Sequence, residues 1–327
     1  MATLIVRPDK IGDLILSFSV VEAIKSKYPD EKIYYITSKY AEDVIKNHPK
    51  IDGHISIDDK TKTKEIIRFL KENDINRAII LFPNFKISLA IKLSGIKEVI
   101  FPGFRIYQFM FKNVVYPRRS KAEKKEWEYN IDIAKRLFPD IEYTKPKLYL
   151  TEEEIEIGKK IISKYKKPVI GIYPGGGKEL RWPLEKFKKL IEKIENMKLT
   201  IVVLLGPNER NLVSEFKEWY IGKELTLREL MATIKEMDLF ITNNTGPMHI
   251  RGVFEKPMIQ IFDPRKAVNP KRWGYEYKGA YLVKPQIDPC NGNCKSCKYY
   301  NCMNTIEVEE IVKLIKTWQE EFTNIQP

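Results

Sequence analysis

The residue types best suited to chemistry fall in four short stretches. Residues 238–254 read DLFITNNTGPMHIRGVF: an apolar run, a polar turn (Asn243, Asn244, Thr245, Gly246) and a helix start. Pro247 suits a first helical position, where its missing N–H would have had no partner, and Thr245 or Gly246 can serve as the cap. The N–H groups of such a start, with the helix dipole behind them, attract an anion, and His249 lies in the same turn. A phosphate would sit well there, most usefully that of a nucleotide diphosphate. A capped helix that binds nothing accounts for the same residues.

The second stretch is Arg7-Pro8-Asp9-Lys10-Ile11-Gly12-Asp13-Leu14. Gly12 permits a tight turn or close ligand approach. Asp13, at a helix start, can cap that helix or accept a proton from an attacking hydroxyl as a general base, and Asp9 is a second carboxylate nearby. The third stretch, Gly175-Gly176-Gly177-Lys178, is not a Walker motif, because Ile172 and Glu179 stand where Gly and Ser or Thr are required. A glycine-rich turn after a strand can still bring N–H groups against a phosphate, with Lys178 and Arg181 adding charge.

The fourth stretch holds Cys290, Cys294, Cys297 and Cys302, separated by three, two and four residues. In a reducing compartment this crowding suits an all-thiolate structural zinc better than disulfides. An iron–sulfur cluster, and free or paired thiols, remain as alternatives. His48 and His54 have no recognisable partner spacing and are assigned no role.

These stretches need elements to position them. In the first half, apolar runs at 3–6, 32–37, 54–57, 77–82 and 98–101 alternate with helical-period segments, the last at 127–138. Residues 138–168, with Pro139, Pro146 and a helix start at Thr151-Glu152-Glu153-Glu154, read as a connector. Strands then recur at 168–173, 199–205, 239–241 and 257–262, with helices after Pro183 and Pro207 and at 225–237 and 308–322. This alternation predicts parallel sheets covered by helices. The expected architecture is two doubly wound, Rossmann-like α/β domains, 1–150 and 151–305, followed by a closing helix in 306–327. Ligands of such sheets bind at the carboxyl ends of the strands, so the loops at 7–13, 174–181, 206–210 and 243–249 are expected around one cleft.

The 327 residues, 43% hydrophobic and 31% charged, suffice for two globular cores. No apolar run approaches the ~20 residues of a membrane-spanning helix. The first residues lead straight into a strand rather than a secretory leader, so the expected location is cytoplasmic. The net charge of +13, from 57 basic and 44 acidic residues, suits anionic membranes, phosphorylated substrates or nucleic acid. The basic cluster Arg118-Arg119-Ser120-Lys121, with Lys124-Lys125, is a candidate for a phosphate-rich partner. Nucleic acid is disfavoured, because neither aromatic interleaving nor a recognised module accompanies the charge.

Four segments, RPDKIGDLILSFSVVEAIK, IGIYPGGG with RWPLEKF, LLGPNER and NNTGPMHI, occur in an order that resembles glycosyltransferase family 9, the heptosyltransferase family of lipopolysaccharide core synthesis. The ending, Cys302-Met303 followed by Ile306 and an acidic helix, is also similar. The resemblance implies a GT-B fold: two Rossmann-like domains facing across a cleft, acceptor domain first and nucleotide-sugar domain second. It also implies that the closing helix packs back on the first domain. The implied reaction is inverting and metal-independent, moving a sugar, usually heptose from ADP-heptose, to a lipopolysaccharide-core or related acceptor. That acceptor would be lipid-linked or an oligosaccharide, met in peripheral contact with the anionic inner face of the cytoplasmic membrane.

By the same resemblance, Asp13 takes the position of the catalytic base. Gly175 and Gly176 match the phosphate-contacting loop, Glu209 a ribose-contacting acid, and Leu225 an apolar neighbour of adenine. Thr245, Gly246 and His249 match the diphosphate seat. The chain departs from the family pattern at Asn244, where Asp is common, and at Leu180, where Lys precedes the basic residue of the RWP element; Lys178 or Arg181 would substitute. Arg251 replaces a small residue. These departures bear on donor identity, and leave two alternatives: a different donor sugar, or a nucleotide-sugar-binding protein without transfer.

Overall fold

The structure, a computed structural model, describes all residues except 104, 177–179, 222–224, 288–289, 291, 295–296, 298–300 and 324–327, and the side chains of 207, 208, 322 and 323 are left aside with them. The chain divides into two compact units, Met1–Tyr149 and Leu150–Pro327.

In the first unit the strands are β1 (Ala2–Val6), β2 (Lys32–Ser38), β3 (Gly53–Ile57), β4 (Arg77–Ile80), β5 (Glu98–Pro102) and β6 (Asn113–Val115). The helices are α1 (Ile11–Lys27), α2 (Glu42–Ile45), α3 (Thr63–Glu72), α4 (Phe85–Leu93) and α5 (Glu126–Ala134). The sheet is wholly parallel with order β3-β2-β1-β4-β5-β6. This doubly wound order reverses between β1 and β4, and the crevice outside the strand ends at such a reversal is where these folds bind ligands. Helix α1 starts at the carboxyl end of β1. It is buried from Ile11 to Ile24 at every position except Asp13. A helix so apolar all round belongs inside, and α1 packs beside α5.

The second unit contains β7 (Val169–Tyr173), β8 (Thr200–Val203), β9 (Leu239–Asn243), β10 (Met258–Ile261) and β11 (Ala280–Val283). Its helices are α6 (Glu152–Ile162), α7 (Leu184–Asn196), α8 (Leu227–Glu236), α9 (Gly246–Val253), α10 (Pro270–Trp273) and α11 (Val308–Thr323). Its parallel sheet has the order β11-β10-β9-β7-β8, reversing between β7 and β9. Both central strands are buried at every residue, as a sheet covered on two faces demands. Capping boxes fix two helix starts: Thr151 with Glu154 for α6, and Thr226 with Glu229 for α8. The apolar face of α11 (Ile311, Ile315, Trp318) joins the second unit's core and packs against α7. No helix among the described residues is long and apolar enough to cross a membrane.

Some expectations shift. The edge strands β6 and β11 were not anticipated. The helix expected after Pro207 is a 3-10 run, Pro207–Phe216, and the helix expected at 127–138 is the shorter α5.

Arg251, on α9, is wholly buried among carbonyls. Its guanidinium donates to Ile234, Lys235, Met237, Asp238 and Pro257, at 2.6–3.2 Å. Those oxygens include the last, unpaired ones of α8, so Arg251 ends α8 and sets where β9 begins. Burial pulls its pKa down to about 10, which leaves it charged at neutral pH. Its side chain is therefore committed to α8 and the turn into β10. Arg251→Met keeps the bulk and orphans these carbonyls, so it should lower the unfolding free energy by at least about 2 kcal/mol. Urea denaturation reads this directly, and an unchanged midpoint would remove Arg251 from the account.

Candidate active site

In the first unit, the chain leaving β1 turns sharply at Arg7 and returns as α1. Arg7 is buried, and its guanidinium meets three carboxylates. Nε donates to Asp9 Oδ1 at 2.9 Å, Nη2 pairs closely with Asp13 Oδ1, and Nη1 lies 3.4 Å from Glu126 Oε1. Nη1 also donates to Asn130 Oδ1 at 3.4 Å. Asp13 therefore caps nothing. The N-cap position of α1 is Lys10, without a side-chain cap bond, and the Asp13 carboxylate is turned to Arg7 and remains partly exposed.

A second arginine closes the cluster. Arg119 donates to Asn130 Oδ1 at 2.9 Å and to the Leu81 carbonyl at 3.2 Å, and its Nε lies 3.4 Å from Glu126 Oε1. Leu81 ends the β4 strand region, so Arg119, Glu126 and Asn130 tie the two sides of the sheet reversal together. Glu126 and Asn130 are fully buried on α5. Arg119 was expected in an exposed phosphate-binding cluster, but it is half-buried and its guanidinium is bonded to Asn130 and the Leu81 carbonyl. Arg118 and Lys121 keep exposed positions.

In the second unit, the ends of β7 and β9 are joined through Asn243. Its Nδ2 donates to the carbonyls of Pro174 and Gly175 at 3.1 and 3.0 Å, and its Oδ1 accepts from Trp182 N–H at 3.1 Å. The glycine-rich turn and the RWP element are thus fastened to the end of β9 by one buried amide. Trp182 is wholly buried and donates from its indole to the Ile306 carbonyl at 3.0 Å.

Glu209 is wedged into the same region. A Cβ at Gly175 would stand 2.8 Å from its Cδ, and one at Gly206 would stand 2.7 Å from its Oε2. Those two glycines make room for the carboxylate, which accepts from Tyr173 Oη at 3.0 Å. A Cβ at Gly176 would lie 3.0 Å from Arg181 Cγ and 3.4 Å from Thr245 Cγ2. The structure therefore gathers Gly175, Gly176, Arg181, Glu209 and Thr245 at the carboxyl end of the β7/β9 reversal.

Helix α9 begins at Gly246, with Thr245 in the N-cap position but without a side-chain cap bond; its hydroxyl donates to the Asn243 carbonyl at 3.3 Å. Asn244 and Gly246 are half-buried beside it. His249 is buried in the first turn, its Nδ1 3.2 Å from Tyr275 Oη. Leu225 is half-buried on the approach to α8 and stands outside this set of contacts. Lys178 lies outside the described residues.

A family model for glycosyltransferase family 9 (heptosyltransferase) matches residues 64–301. The chain belongs to glycosyltransferase family 9. It is accordingly a transferase enzyme. A lipooligosaccharide heptosyltransferase 2 from Campylobacter jejuni is 24% identical over 325 residues, covering 94% of this chain and 96% of the relative. Two solved structures share the fold at 19% identity. A family 9 glycosyltransferase from Veillonella parvula superposes with a TM-score of 0.86 over 98% of this chain and 97% of its own. The ADP-heptose lipopolysaccharide heptosyltransferase II of Escherichia coli superposes with 0.81 over 98% and 100%. The two doubly wound units are thus those of the GT-B class.

The four cysteines of this family 9 enzyme are not joined in disulfides and line one pocket of about 180 Å³, together with Leu180 and Arg181. Burial and the other three thiols push the Cys302 thiol upward. Among the described residues, however, no group of three or more His, Cys, Asp or Glu side chains is gathered as a metal ion would require. Cys294 is exposed, while Cys290, Cys297 and Cys302 are half-buried. Leu180 packs apolar surface against the second unit's core, while its N–H donates to the buried Asp263 at 3.2 Å.

Sequence reasoning missed Arg7, Glu126, Asn130 and Asn243. The available signal at Asn243 was a polar side chain closing a buried strand; the others carried none. The crowding of acids on Arg7 has a measurable consequence. Burial pushes the Asp9 carboxyl up to about 7, with Arg7 opposing and Asp13 adding to the rise. Between its ordinary value of 3.8 and about 7, the folded protein holds a proton that the unfolded chain has released. Stability from this group is therefore present below about pH 4 and lost as the pH rises through 7. Relative to wild type, Asp9→Asn should gain on the order of 2 kcal/mol between pH 5 and pH 8. Urea unfolding at both pH values checks this, and a gap that does not move with pH would contradict it.

Proposed function

We propose that this enzyme transfers a sugar with inversion, in the first instance heptose from ADP-heptose, to a lipopolysaccharide-core or related saccharide acceptor. The observation that carries the reading is the Arg7–Asp13 pair: a partly exposed carboxylate, held by a buried guanidinium, at the ligand-binding edge of the first sheet in a family 9 chain. In this reading Asp13 Oδ accepts the proton of the acceptor hydroxyl as its oxygen attacks the anomeric carbon. Arg7 fixes the carboxylate in place so that no reorganisation accompanies the transfer.

The bond from the anomeric carbon to the diphosphate oxygen breaks as the new bond forms, and the departing diphosphate carries the charge. The N–H groups at the start of α9, the Thr245 hydroxyl and the Arg181 guanidinium supply the stabilisation, with His249 in the same turn. Gly175 and Gly176 allow close approach of the backbone to the phosphates, and Glu209 is the ribose partner. Leu225 serves the adenine side, and Lys178 adds charge from the glycine-rich loop. This set of groups performs the transfer without a divalent metal, as the family resemblance implies. The acceptor is lipid-linked or an oligosaccharide, and the net charge of +13 supports peripheral contact with the anionic inner face of the cytoplasmic membrane.

A second reading, a nucleotide-sugar binder without turnover, draws on Asn244, which is neutral where an acid is common. Binding and turnover on a panel of ADP-, GDP- and UDP-sugars separate the two. Asp13→Asn should reduce transfer at least about 100-fold while leaving the affinity for ADP within twofold. Undiminished turnover in that variant would remove Asp13 from its assigned role.

A further inference from the structure

Between β5 and β6, the 3-10 segment Ile106–Met110 sorts its side chains into two rows. In a 3-10 helix residues i and i+3 lie one above the other, so Tyr107 and Met110 form one row and Ile106 and Phe109 another. The first row is clamped. Tyr107 meets the rings of Phe85 and Phe101 at 5.5 and 5.7 Å, Met110 packs on the first unit's core, and the following Phe111 stacks on Phe101 at 5.0 Å. The second row faces water: Ile106 is 91% exposed and Phe109 81%. Phe85, at the start of α4 and against Tyr107, adds a 57% exposed ring. Large apolar side chains on a clamped segment, left this open, mark a surface that another apolar phase covers.

The charge around them selects that phase. From residue 99 to residue 122 the chain carries Arg105, Lys112, Arg118, Arg119 and Lys121, and no Asp or Glu. Arg105 and Lys112 flank the exposed row directly and are themselves exposed, as are Arg118 and Lys121. A second copy of the same patch would bring like charges face to face across a two-fold contact. A bilayer with anionic headgroups instead accepts the aliphatic and aromatic tips at its acyl boundary while the headgroups meet the basic rim.

We infer that Ile106 and Phe109, with Phe85 beside them and Arg105 and Lys112 as a basic rim, are the surface by which this enzyme docks on an anionic lipid bilayer. The segment leaves β5, which lies two strands, about 10 Å, from β1, and it leaves from the same edge of the sheet at which α1, the helix that carries Asp13, begins. The consequence, that docking presents the hydroxyl of a lipid-linked acceptor to Asp13, rests on the proposed function; the docking itself does not.

The test is co-sedimentation of the full chain with vesicles of phosphatidylglycerol and phosphatidylcholine, against vesicles of phosphatidylcholine alone. Wild type should bind the anionic vesicles at least tenfold more tightly than Ile106→Ser/Phe109→Ser, and binding should fall as salt rises. Both proteins should unfold at the same urea midpoint and transfer sugar to a water-soluble acceptor at rates within twofold. Equal binding by the two proteins, or equal binding of wild type to both vesicle types, would overturn the inference. So would a wild-type dimer that the double substitution makes monomeric while neither protein binds vesicles, since the surface then belongs to a second copy. Absence of transfer with every donor would defeat the functional reading and leave the vesicle result standing on its own.

Discussion

Arg7 is one buried cation facing three acids, and the first unit's chemistry hangs on how that imbalance is held. A guanidinium removed from water loses several kcal/mol of hydration, and carboxylates in hydrogen-bonded geometry recover it. Asp9, Asp13 and Glu126 supply those carboxylates from three places in the chain, and Asn130 and Arg119 lock the arrangement from α5 and the loop before it. Because Glu126 is fully buried and Asp13 is not, the cluster has an inner end that anchors and an outer end that can meet a substrate. The fork of the guanidinium makes this possible, since its several N–H groups point at once to partners that a single ammonium could not all reach.

The second unit solves a similar problem with neutral groups. Asn243 spends both ends of its amide on backbone, holding the glycine-rich turn and the RWP element at the end of β9. Glu209 fits only because Gly175 and Gly206 lack side chains. Behind these, Arg251 satisfies the carbonyls that α8 leaves open and so sets the strand from which Asn243 projects. The residue that departs from the family at 251 acts on the scaffold, not on the ligand edge.

The doubly wound architecture was legible because the central strands β1, β7 and β9 are buried on both faces and read as mostly apolar runs. The edge strands β6 and β11 were not. Asn113–Val115 spans three residues and Ala280–Val283 is half-exposed, so neither writes a burial pattern into the sequence. Charged side chains misled in the same way. Arg119 sits among basic neighbours and Glu126 follows two lysines, so local composition marks both as solvated. Glu126 is buried against Arg7, 119 positions away, and Arg119 reaches the same cluster through Glu126 and Asn130; no local pattern carries such pairings. Asp13 shows the limit most clearly. Its place in the first turn of α1 suggested a cap, and only the fold reveals that its carboxylate turns to Arg7.

The most direct measurement of this account is single-turnover sugar transfer by Arg7→Lys, with donor affinity measured alongside. Lysine keeps the charge but cannot fork to Asp9, Asp13 and Glu126 together. If Arg7 positions the reacting carboxylate, the transfer rate falls at least about tenfold while the donor Kd stays within twofold of wild type. A variant that transfers at the wild-type rate would show that charge alone suffices and that the buried cluster does not position Asp13.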